Sequence, residues 1–321
     1  MKILANDGID ASGKNALEAA GHVVITDNVA QEDLPAFIHQ NNIDGLLVRS
    51  ATTVRVDLID QCPNLKFVGR GGVGIDNIDA AYARDKGIVV FNTPASSSAS
   101  VAELVMSMMF ASARFMYASG KEMPTSGHDK FGALKKSFSK GVELRGKTLA
   151  IVGFGRIGQS LATYALGCGM KVIAIDRSGE SSRNIELQIN GQDISISVPL
   201  VTMEDVFAQA DYISLHVPKQ PNGAAVFGKA EMMQMKKGVV LINTSRGGVI
   251  EEDALIEMLN EGQVGMACLD VFVNEPSPRA DLIQHPKVIA TPHIGASTAE
   301  AQERIGLEIA ENVASIVSKL S

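Results

Sequence analysis

The sequence is short of several residue types, and each shortage narrows the class of protein. It contains no Trp, and aromatic residues make up 5% of its 321 residues. The most apolar long stretch, residues 101–119, contains Glu103 and Arg114, so we interpret it as a core helix rather than a membrane span. Its three cysteines fit neither a disulfide framework nor a zinc site, which favours a reducing compartment and predicts no metal: Cys62, Cys168 and Cys268.

The charge balance and the N-terminus exclude further classes. Lys and Arg number 29 against 36 Asp and Glu, and the net charge of −7 disfavours nucleic acid and anionic membranes as partners. A small anionic ligand is not disfavoured, because it responds only to local charge. The N-terminal segment reaches Asp7 too early for the apolar region of a signal peptide. We therefore expect a cytoplasmic protein.

Strand and helix patterns alternate along most of the chain. A length of 321 residues with 45% hydrophobic residues fits about two globular domains. The alternation covers residues 1–98 and resumes from Thr148 to about Pro292. It predicts an α/β fold of two doubly wound Rossmann-like domains with parallel sheets and an intervening cleft. A long helix is predicted to begin at Ser100, and the polar stretch 119–147 is predicted to be a surface connection.

One stretch has the period of a β-hairpin instead. Between Ile185 and Val198, apolar and polar residues alternate on both sides of Asn190-Gly191, a dipeptide typical of a tight turn. We predict two antiparallel strands over 184–198 that extend the chain after Asp176 and lie away from the reacting groups. The alternative is an irregular surface loop.

The pattern G-x-G-x-x-G occurs twice, and the second copy, residues 153–158, has the surroundings of a dinucleotide-binding loop. It follows the apolar strand 148–152 and opens a helical pattern. Gly153 permits the tight turn, Gly155 lets the backbone approach a pyrophosphate, and Gly158 allows close packing of helix and strand. The helix N-terminus adds free N–H groups and a partial positive charge.

An acidic residue supports the same interpretation. Asp176 ends the strand that follows this helix, where a carboxylate binds ribose hydroxyls and repels a 2′-phosphate. This position favours NAD over NADP as the cofactor. The neighbouring Arg177 could accept the 2′-phosphate and leaves NADP open.

The first copy of the pattern, residues 69–74, lacks such an acid after the next strand. It is either a tight turn or an anion cradle for substrate, with exposed N–H groups beside Arg70. Arg49 also follows a predicted strand, 45–48. In a doubly wound sheet the two strand ends face the same edge, which would bring both arginines to an anionic substrate.

Three further residues at predicted strand ends suit hydride transfer on a 2-oxo acid. Arg246 is followed by two glycines that would let a ligand approach, and its planar fork can bind a carboxylate. His293 can act as acid or base, and Glu275 could stabilise its charged form. Taken singly, each has a structural alternative: an arginine usually forms a surface ion pair, and a histidine is usually structural. His216 also stands at a strand end.

These motifs together resemble the D-isomer-specific 2-hydroxyacid dehydrogenase family. The resemblance rests on the loop 153–158, on 243–248, on 269–276, on 292–298 and on 69–79, and covers nearly the whole chain. It implies that Arg246 polarises the substrate, that Glu275 is the partner of the base and that His293 is the acid or base. It also implies a homodimer formed through the cofactor domain.

The resemblance further implies residues 1–98 and 297–321 as the substrate domain and 99–296 as the NAD-binding domain. The residues implied to bind NAD are Val73, Gly153, Gly155, Arg156, Ile157, Gly158, Asp176, Val217, Thr244, Ser245, Asp270, Gly295 and Ala296. The residues expected to bind an anionic 2-hydroxy or 2-oxo acid are Arg49, Ser50, Arg70, Gly71 and Gly72.

Within the family, residues 48–52 and 69–71 are most similar to members with a phosphate-bearing substrate. Two alternatives stay open: a member acting on glyoxylate, hydroxypyruvate or D-lactate, and a corepressor-like member that binds NAD and serves as a partner-binding scaffold. Many phosphate-specific members carry a C-terminal regulatory domain, and we expect none after the last predicted helix, 298–319.

Overall fold

The computed structural model describes residues 1–220 and 222–320 and divides the chain into two compact units. The first unit comprises Met1–Ser100 and Ala296–Ser321, and the second comprises Val101–Gly295. The predicted boundaries, at 98/99 and 296/297, lie within two residues of this division. The first unit is therefore assembled from both ends of the chain.

The first unit begins with five strands that alternate with four helices. In chain order these are β1 (Lys2–Ala5), α1 (Ala11–Ala19), β2 (Val23–Ile25), α2 (Leu34–Asn41), β3 (Gly45–Val48), α3 (Val56–Gln61), β4 (Phe67–Arg70), α4 (Ala80–Asp85) and β5 (Val89–Asn92). All pairings are parallel, and the strand order is β2-β1-β3-β4-β5. The order reverses between β1 and β3, as in a doubly wound sheet.

The second unit contains a six-stranded parallel sheet and a separate hairpin. Its elements start with the helix that crosses from the first unit: α5 (Ser98–Ala113), α6 (Met116–Ser137), β6 (Thr148–Val152), α7 (Arg156–Gly167), β7 (Lys171–Ile175), β8 (Ser182–Ile189), β9 (Gln192–Pro199), α8 (Met203–Gln209), β10 (Tyr212–Leu215), α9 (Lys229–Gln234), β11 (Val239–Asn243), α10 (Glu252–Glu261), β12 (Val264–Leu269), α11 (Ala280–Ile283) and β13 (Val288–Ala290). The strand order is β13-β12-β11-β10-β6-β7. The predicted α/β class is confirmed.

Both sheets are buried on their two faces. In β6, Leu149 and Ile151 pack into one hydrophobic cluster, and Ala150 and Val152 pack into another. This double burial explains why the strand is a continuous apolar run rather than an alternating one.

The C-terminal helix α12 (Ala299–Leu320) returns to the first unit. Its Ile305 and Ile309 pack in a cluster with Leu17 of α1. The two helices approach closely at Gly13 and Gly306, because a Cβ added to Gly13 would lie 2.5 Å from the Gly306 Cα. These glycines therefore permit the helix crossing.

The predicted hairpin is confirmed. β8 and β9 pair antiparallel with Ile185 opposite Ile196, and Asn190 and Gly191 form the turn with φ of 50° and 76°. Both turn residues occupy the left-handed region that the Asn-Gly signal requires. The hairpin buries Ile185, Leu187 and Val198 against the second unit.

The prediction of a surface connection over 119–147 is wrong for its first part. Helix α6 occupies Met116–Ser137 and is separated from α5 by Arg114 and Phe115, of which Phe115 has a left-handed conformation (φ 55°). The helix is polar, contains Pro124 and has a non-helical residue at Lys130. These features hide the apolar period by which a helix is recognised. Helix α5 also begins at Ser98 rather than at Ser100.

No single helix in the described part of the chain is long and apolar enough to cross a membrane, although α5 and α6, bent by 61°, satisfy the length and composition criteria as a pair.

Candidate active site

Two glycines of the loop between β6 and α7 cannot be replaced by another residue unless the neighbouring backbone moves. Gly153 has a φ of +100°, and a Cβ there would lie 2.4 Å from the carbonyl oxygen of His216. A Cβ on Gly158 would lie 2.4 Å from the carbonyl oxygen of Gly153. These two glycines therefore let the loop approach helix α7 and the end of the neighbouring strand β10, as predicted for a dinucleotide-binding turn.

Gly155 has a different role, because a Cβ on it would meet nothing within 4 Å. It is the N-cap residue of α7 and has no capping side chain. The first N–H groups of a helix have no partner within the helix, and they attract anions. Arg156 and Ile157 follow on the first turn, with Arg156 exposed. The helix therefore presents an open N-terminus that suits a pyrophosphate.

Asp176 follows β7 and has several protein partners. Its Oδ1 accepts a hydrogen bond from the Ser178 amide at 2.9 Å. The Arg183 guanidinium contacts both oxygens, Oδ2 at 3.1 Å and Oδ1 at 3.3 Å. Burial alone would raise the pKa of this carboxyl, but the Ser178 amide and the Arg183 charge hold the pKa below its ordinary value. Asp176 is therefore an ionised acceptor beside the glycine loop.

Other predicted cofactor residues stand at the same edge of the sheet. Thr244 follows β11, and its Oγ1 is buried without a hydrogen-bond partner among the described residues. Val217 follows β10 and is half-buried. A buried hydroxyl without a partner costs free energy unless a ligand satisfies it. Together with the open helix N-terminus, this orphaned hydroxyl fits a dinucleotide.

Arg246 is held by a turn at the end of β11. Asn243 is 3% exposed, and its side chain donates to the Arg246 carbonyl at 2.9 Å and accepts from the Ser245 amide at 3.0 Å and hydroxyl at 2.8 Å. Ser245 is therefore buried and used within the turn. The Arg246 Nη1 also donates to the Ser245 carbonyl at 2.7 Å.

The glycine after Arg246 serves a purpose other than the one predicted. A Cβ on Gly247 would lie 1.8 Å from the carbonyl oxygen of Phe272. The missing side chain therefore admits the loop after β12, not a ligand. This close contact ties the segment that carries Arg246 to the segment that carries Glu275.

His293 and Glu275 form the expected pair. The His293 Nδ1 lies 2.7 Å from Glu275 Oε2, and the Phe272 amide donates to Glu275 Oε1 at 2.9 Å. The His293 side chain is 42% exposed. The carboxylate therefore fixes the ring through Nδ1 and leaves Nε2 as the nitrogen that can face a substrate.

Asp270 positions the segment that carries His293. It is 1% exposed and accepts hydrogen bonds from the Thr291 hydroxyl at 2.6 Å and from the Ile294 and Gly295 amides at 2.8 Å each. His293 itself has a φ of 55°. These contacts occupy both carboxylate oxygens, so the geometry favours a positioning role for Asp270 over the predicted cofactor contact.

This arrangement can carry out proton transfer beside a bound 2-oxo acid. The Arg246 guanidinium can bind a carboxylate and polarise the adjacent carbonyl. The His293 imidazolium, balanced by Glu275, can donate a proton to a carbonyl oxygen on reduction and accept it on oxidation. NAD, when bound, supplies or accepts the hydride.

The first unit contains the predicted substrate arginines. Val48 of β3 is in register with Arg70 of β4, so Arg49 and Arg70 stand at the same sheet edge. Arg49 is half-buried, and within residues 1–220 and 222–320 its guanidinium has no hydrogen-bond or ion-pair partner. Arg70 donates to the carbonyls of Arg49 at 3.1 Å and of Gly74. Arg49 is therefore the more available cation, and Arg70 braces the loop.

The predicted anion cradle at Gly71 and Gly72 is not formed by their amides. The Gly71 N–H donates to the Val48 carbonyl at 2.9 Å, and the Gly72 N–H donates to the Thr93 hydroxyl at 2.8 Å. Both donors are therefore committed to the protein. Ser50 lies exposed between Arg49 and Thr52.

Two residues of the first unit that sequence reasoning missed form hydrogen bonds that fix the backbone around Arg49. Asp7 accepts from the Arg49 amide at 2.6 Å and from the Thr52 hydroxyl at 2.6 Å. Asn77 donates to the Arg49 carbonyl at 2.9 Å. Asp7 stands two residues after the end of β1, and Asn77 stands three residues after the glycine segment 69–74. A polar residue of this type just after a strand or a glycine turn is the sequence signal that could have indicated them.

Val73 and Ala296 belong to the first unit as well. Val73 is 37% exposed, and its carbonyl accepts a hydrogen bond from the Asn92 side chain. The Ala296 carbonyl accepts a hydrogen bond from Gln302 at 2.7 Å. Their predicted cofactor contacts stay predictions.

A doubly wound sheet with an open glycine loop after the strand at which the strand order reverses, here β6, is typical of dinucleotide-dependent oxidoreductases. The Arg, Glu and His residues indicate a dehydrogenase. Comparison with known proteins agrees. The profile of the D-isomer specific 2-hydroxyacid dehydrogenase NAD-binding domain matches residues 106–295. The chain belongs to this family of NAD-dependent oxidoreductases.

Relatives differ in substrate. The hydroxypyruvate reductase of Thermotoga maritima is 40% identical over 97% of both chains. The D-3-phosphoglycerate dehydrogenase of Methanocaldococcus jannaschii is 39% identical over 99% of this chain but 57% of its own length. The solved D-lactate dehydrogenase of Aquifex aeolicus, complexed with NAD and lactic acid, is 26% identical with a TM-score of 0.77, and the match covers 99% of this chain and 96% of that one.

The chain thus spans about half the length of the curated D-3-phosphoglycerate dehydrogenases that it matches. It spans nearly the full length of the hydroxypyruvate reductase. The family is therefore established. The names of the relatives point to more than one substrate.

Proposed function

We propose that the protein is an NAD-dependent D-3-phosphoglycerate dehydrogenase, which oxidises 3-phosphoglycerate to 3-phosphohydroxypyruvate, the first step of L-serine biosynthesis. The observation that carries the proposal is Arg49, a half-buried arginine whose guanidinium has no partner within residues 1–220 and 222–320. A partly desolvated arginine without a counter-charge suits a phosphate, which it can bind through two parallel hydrogen bonds.

In this proposal the second unit supplies the chemistry. Arg246 binds the substrate carboxylate and polarises the carbonyl, Glu275 holds the ring of His293, and His293 transfers the proton. The loop 153–158, Asp176 and Thr244 bind NAD. Arg49 recognises the phosphate, and Arg70 supports the loop.

The second candidate is a hydroxypyruvate reductase. It is favoured by the full-length similarity to the Thermotoga maritima protein. The two candidates differ only in the phosphate group of the substrate, so one pair of assays separates them.

The deciding experiment measures NADH consumption by the purified protein with 3-phosphohydroxypyruvate and with hydroxypyruvate. A charge-assisted contact to phosphate contributes about 1.5–3 kcal/mol, or roughly one to two decades in kcat/KM. We expect kcat/KM to be higher for the phosphorylated substrate by about that factor. An equal or higher value for hydroxypyruvate would replace the first proposal with the second.

We also propose a homodimer formed through the second unit. Large apolar side chains at the end of α5 and along α6 are 39–61% exposed: Phe110, Met116, Tyr117, Met123 and Phe131. An exposed apolar group of this kind supports a subunit interface. Light scattering of wild type and of Phe131→Glu tests it, because the charge should convert a dimer to a monomer. A wild-type monomer would contradict it.

The proposed location of this activity is the cytoplasm. The three cysteines are free, and burial raises the pKa of the Cys62 thiol to about 11 and that of Cys268 to about 12. Free thiols of this kind support a reducing compartment. Detection of the protein in a membrane or secreted fraction of its native cells would contradict the proposal.

A further inference from the structure

Glu252 connects the helix that follows Arg246 to the loop that carries Glu275. It is the first residue of α10, it is half-buried, and its Oε1 accepts a hydrogen bond from the Val273 amide at 2.9 Å. Sequence reasoning gave Glu252 no role, and the proposed mechanism does not use it. This contact therefore leaves a carboxylate near the reacting groups whose purpose is still to be assigned.

The peptide group between Phe272 and Val273 is held at both ends. Its N–H donates to Glu252, and its carbonyl oxygen lies against Gly247, where a Cβ would be 1.8 Å away. A peptide group is planar, so contacts at both ends fix its orientation. The preceding amide, that of Phe272, donates to Glu275 Oε1 at 2.9 Å. Because the two peptide groups share the Phe272 Cα, a rotation of the first would displace the donor that holds Glu275.

The helix that carries Glu252 is firmly packed, whereas the segment that carries Glu275 is not. Helix α10 joins the same hydrophobic cluster as Phe272 through four buried residues: Ala254, Leu255, Met258 and Leu259. A close-packed interior of this kind leaves little room for the helix to shift. The segment 273–277 is exposed throughout. Glu252 is therefore an acceptor on a rigid element that restrains an exposed one.

We propose that Glu252 is a positioning residue of the reaction, which holds the segment 272–275 so that Glu275 stays aligned with His293. The inference rests on the roles given to Glu275 and His293 under Proposed function. Glu252 acts through the backbone of Val273 and Phe272 on Glu275, whose Oε2 lies 2.7 Å from His293 Nδ1. A displaced carboxylate would turn the imidazole away from its productive orientation, and proton transfer depends steeply on that geometry.

A carboxylate in the first turn of a helix can also stabilise the helix through its dipole, and the two roles need different properties of the side chain. Positioning needs an acceptor oxygen at the reach of Glu252, whereas the dipole needs only negative charge. Glu252→Gln keeps the reach and the acceptor, and Glu252→Asp keeps the charge but is one methylene shorter. Asp253 provides a matched control, because it lies on the same turn and pairs with Arg279 at the surface.

The test measures kcat for reduction by NADH, and the Kd of NADH, with whichever of hydroxypyruvate and 3-phosphohydroxypyruvate the wild type reduces faster. We expect Glu252→Ala and Glu252→Asp to lower kcat about threefold to tenfold, and to leave the Kd of NADH within about twofold. Glu252→Gln should keep kcat within about twofold of wild type, and Asp253→Ala should behave as wild type. A kcat that follows charge instead, with the Gln variant slow and the Asp variant normal, would overturn the inference.

A double-mutant cycle tests whether the effect passes through Glu275. In a protein that already carries Glu275→Gln, the further change Glu252→Ala should lower kcat by less than about twofold, because the carboxylate that Glu252 positions is gone. An undiminished loss in that background would show that Glu252 acts by another route and would contradict the inference.

The outcomes separate this inference from the proposed function. If Glu275→Gln has the kcat of wild type, the proposed role of the pair of Glu275 and His293 fails, and the inference fails with it. If Glu275→Gln is slow but Glu252→Ala is not, only the inference is overturned. If Glu252→Ala does not fold, the Gln and Asp variants carry the test: a normal kcat in Glu252→Gln with a low one in Glu252→Asp supports positioning, and the reverse contradicts it.

Discussion

The two glycine loops share one motif and differ in nearly every contact. In the loop 153–158, Gly155 faces open space, and a twelve-residue helix follows at once. In the segment 69–74, Gly69 lies against the Phe91 ring, 2.3 Å from where its Cβ would be, and helix α4 begins only at Ala80. The loop 153–158 therefore keeps space for a ligand, whereas the segment 69–74 accommodates the protein's own side chains.

The difference teaches that a glycine motif reports close approach without saying what approaches. The amides of Gly71 and Gly72 bond to the protein, and Arg70 bonds to Gly74 within the same segment. The α7 N-terminus instead has no capping side chain. The neighbours of each glycine, rather than the pattern, decide which loop can bind an anion.

The largest expected effect concerns His293, which lies in the same unit as the loop 153–158. His293→Ala should lower kcat about 100- to 10,000-fold, because proton transfer loses its acid. The Kd of NADH should stay within about threefold, because the loop 153–158 is intact. Steady-state kinetics and NADH titration measure the two quantities. His128→Ala, an exposed histidine on α6, is the control and should behave as wild type. Comparable kcat values in the two variants would remove His293 from the mechanism.

A smaller effect concerns the segment 69–74, which contains Arg70, and the neighbouring Arg49. Arg49→Ala should raise KM for 3-phosphohydroxypyruvate about tenfold to 100-fold, and leave KM for hydroxypyruvate nearly unchanged, because only the former carries the phosphate. Arg70→Ala should affect both substrates similarly, because Arg70 supports backbone carbonyls. If Arg70→Ala were the substrate-selective variant, the assignment of the two arginines would be reversed.

The smallest expected effect concerns the pH dependence of stability that His216, in contrast to His293, contributes. Unlike His293, His216 has a buried Nδ1 without a partner among the described residues, and burial lowers the pKa of His216 to about 4. Below about pH 6.5 this histidine takes up a proton in the unfolded chain, whereas in the folded chain it does so only near pH 4. Its contribution to the free energy of unfolding is therefore fully present above pH 6.5 and is lost as the pH falls.

This proton uptake should cost about 1–2 kcal/mol of unfolding free energy between pH 6.5 and pH 5. Denaturant unfolding at these two pH values measures it in wild type and in His216→Gln. The variant should show a smaller loss than wild type, since its side chain does not titrate. An identical loss in both proteins would show that His216 is not the group responsible.

Much of the fold could be predicted from the sequence because its signals are local. The strand 148–152 is a continuous apolar run, and Asn190-Gly191 has the residues that its turn requires. Helix α6 could not be predicted, because its exposed surface gives no apolar period and Gly127 is its buried residue. A helix that buries so few of its residues within its own chain leaves little trace in hydrophobic patterning.

The candidate site shows the same division. Glu275 and His293 were predicted to pair, since both follow strands that end at one edge, and the structure places them 2.7 Å apart. Arg183 was missed, because its contact with Asp176 depends on how the hairpin folds back over the loop. Gly247 was assigned to a ligand, although the Phe272 carbonyl occupies that space. Contacts between distant segments set these roles, and spacing alone does not encode them.

The most direct test of the difference between the loop 153–158 and the segment 69–74 is a titration of NADH on two variants that each add one methyl group, Gly155→Ala and Gly71→Ala. The Gly155 methyl would enter the open space that we assign to the cofactor, and it should raise the Kd of NADH at least about tenfold. The Gly71 methyl meets the Ile305 side chain at 3.2 Å and should leave the Kd within about threefold. An unchanged Kd in Gly155→Ala, with weakened binding in Gly71→Ala, would contradict the assignment of the cofactor to the loop 153–158.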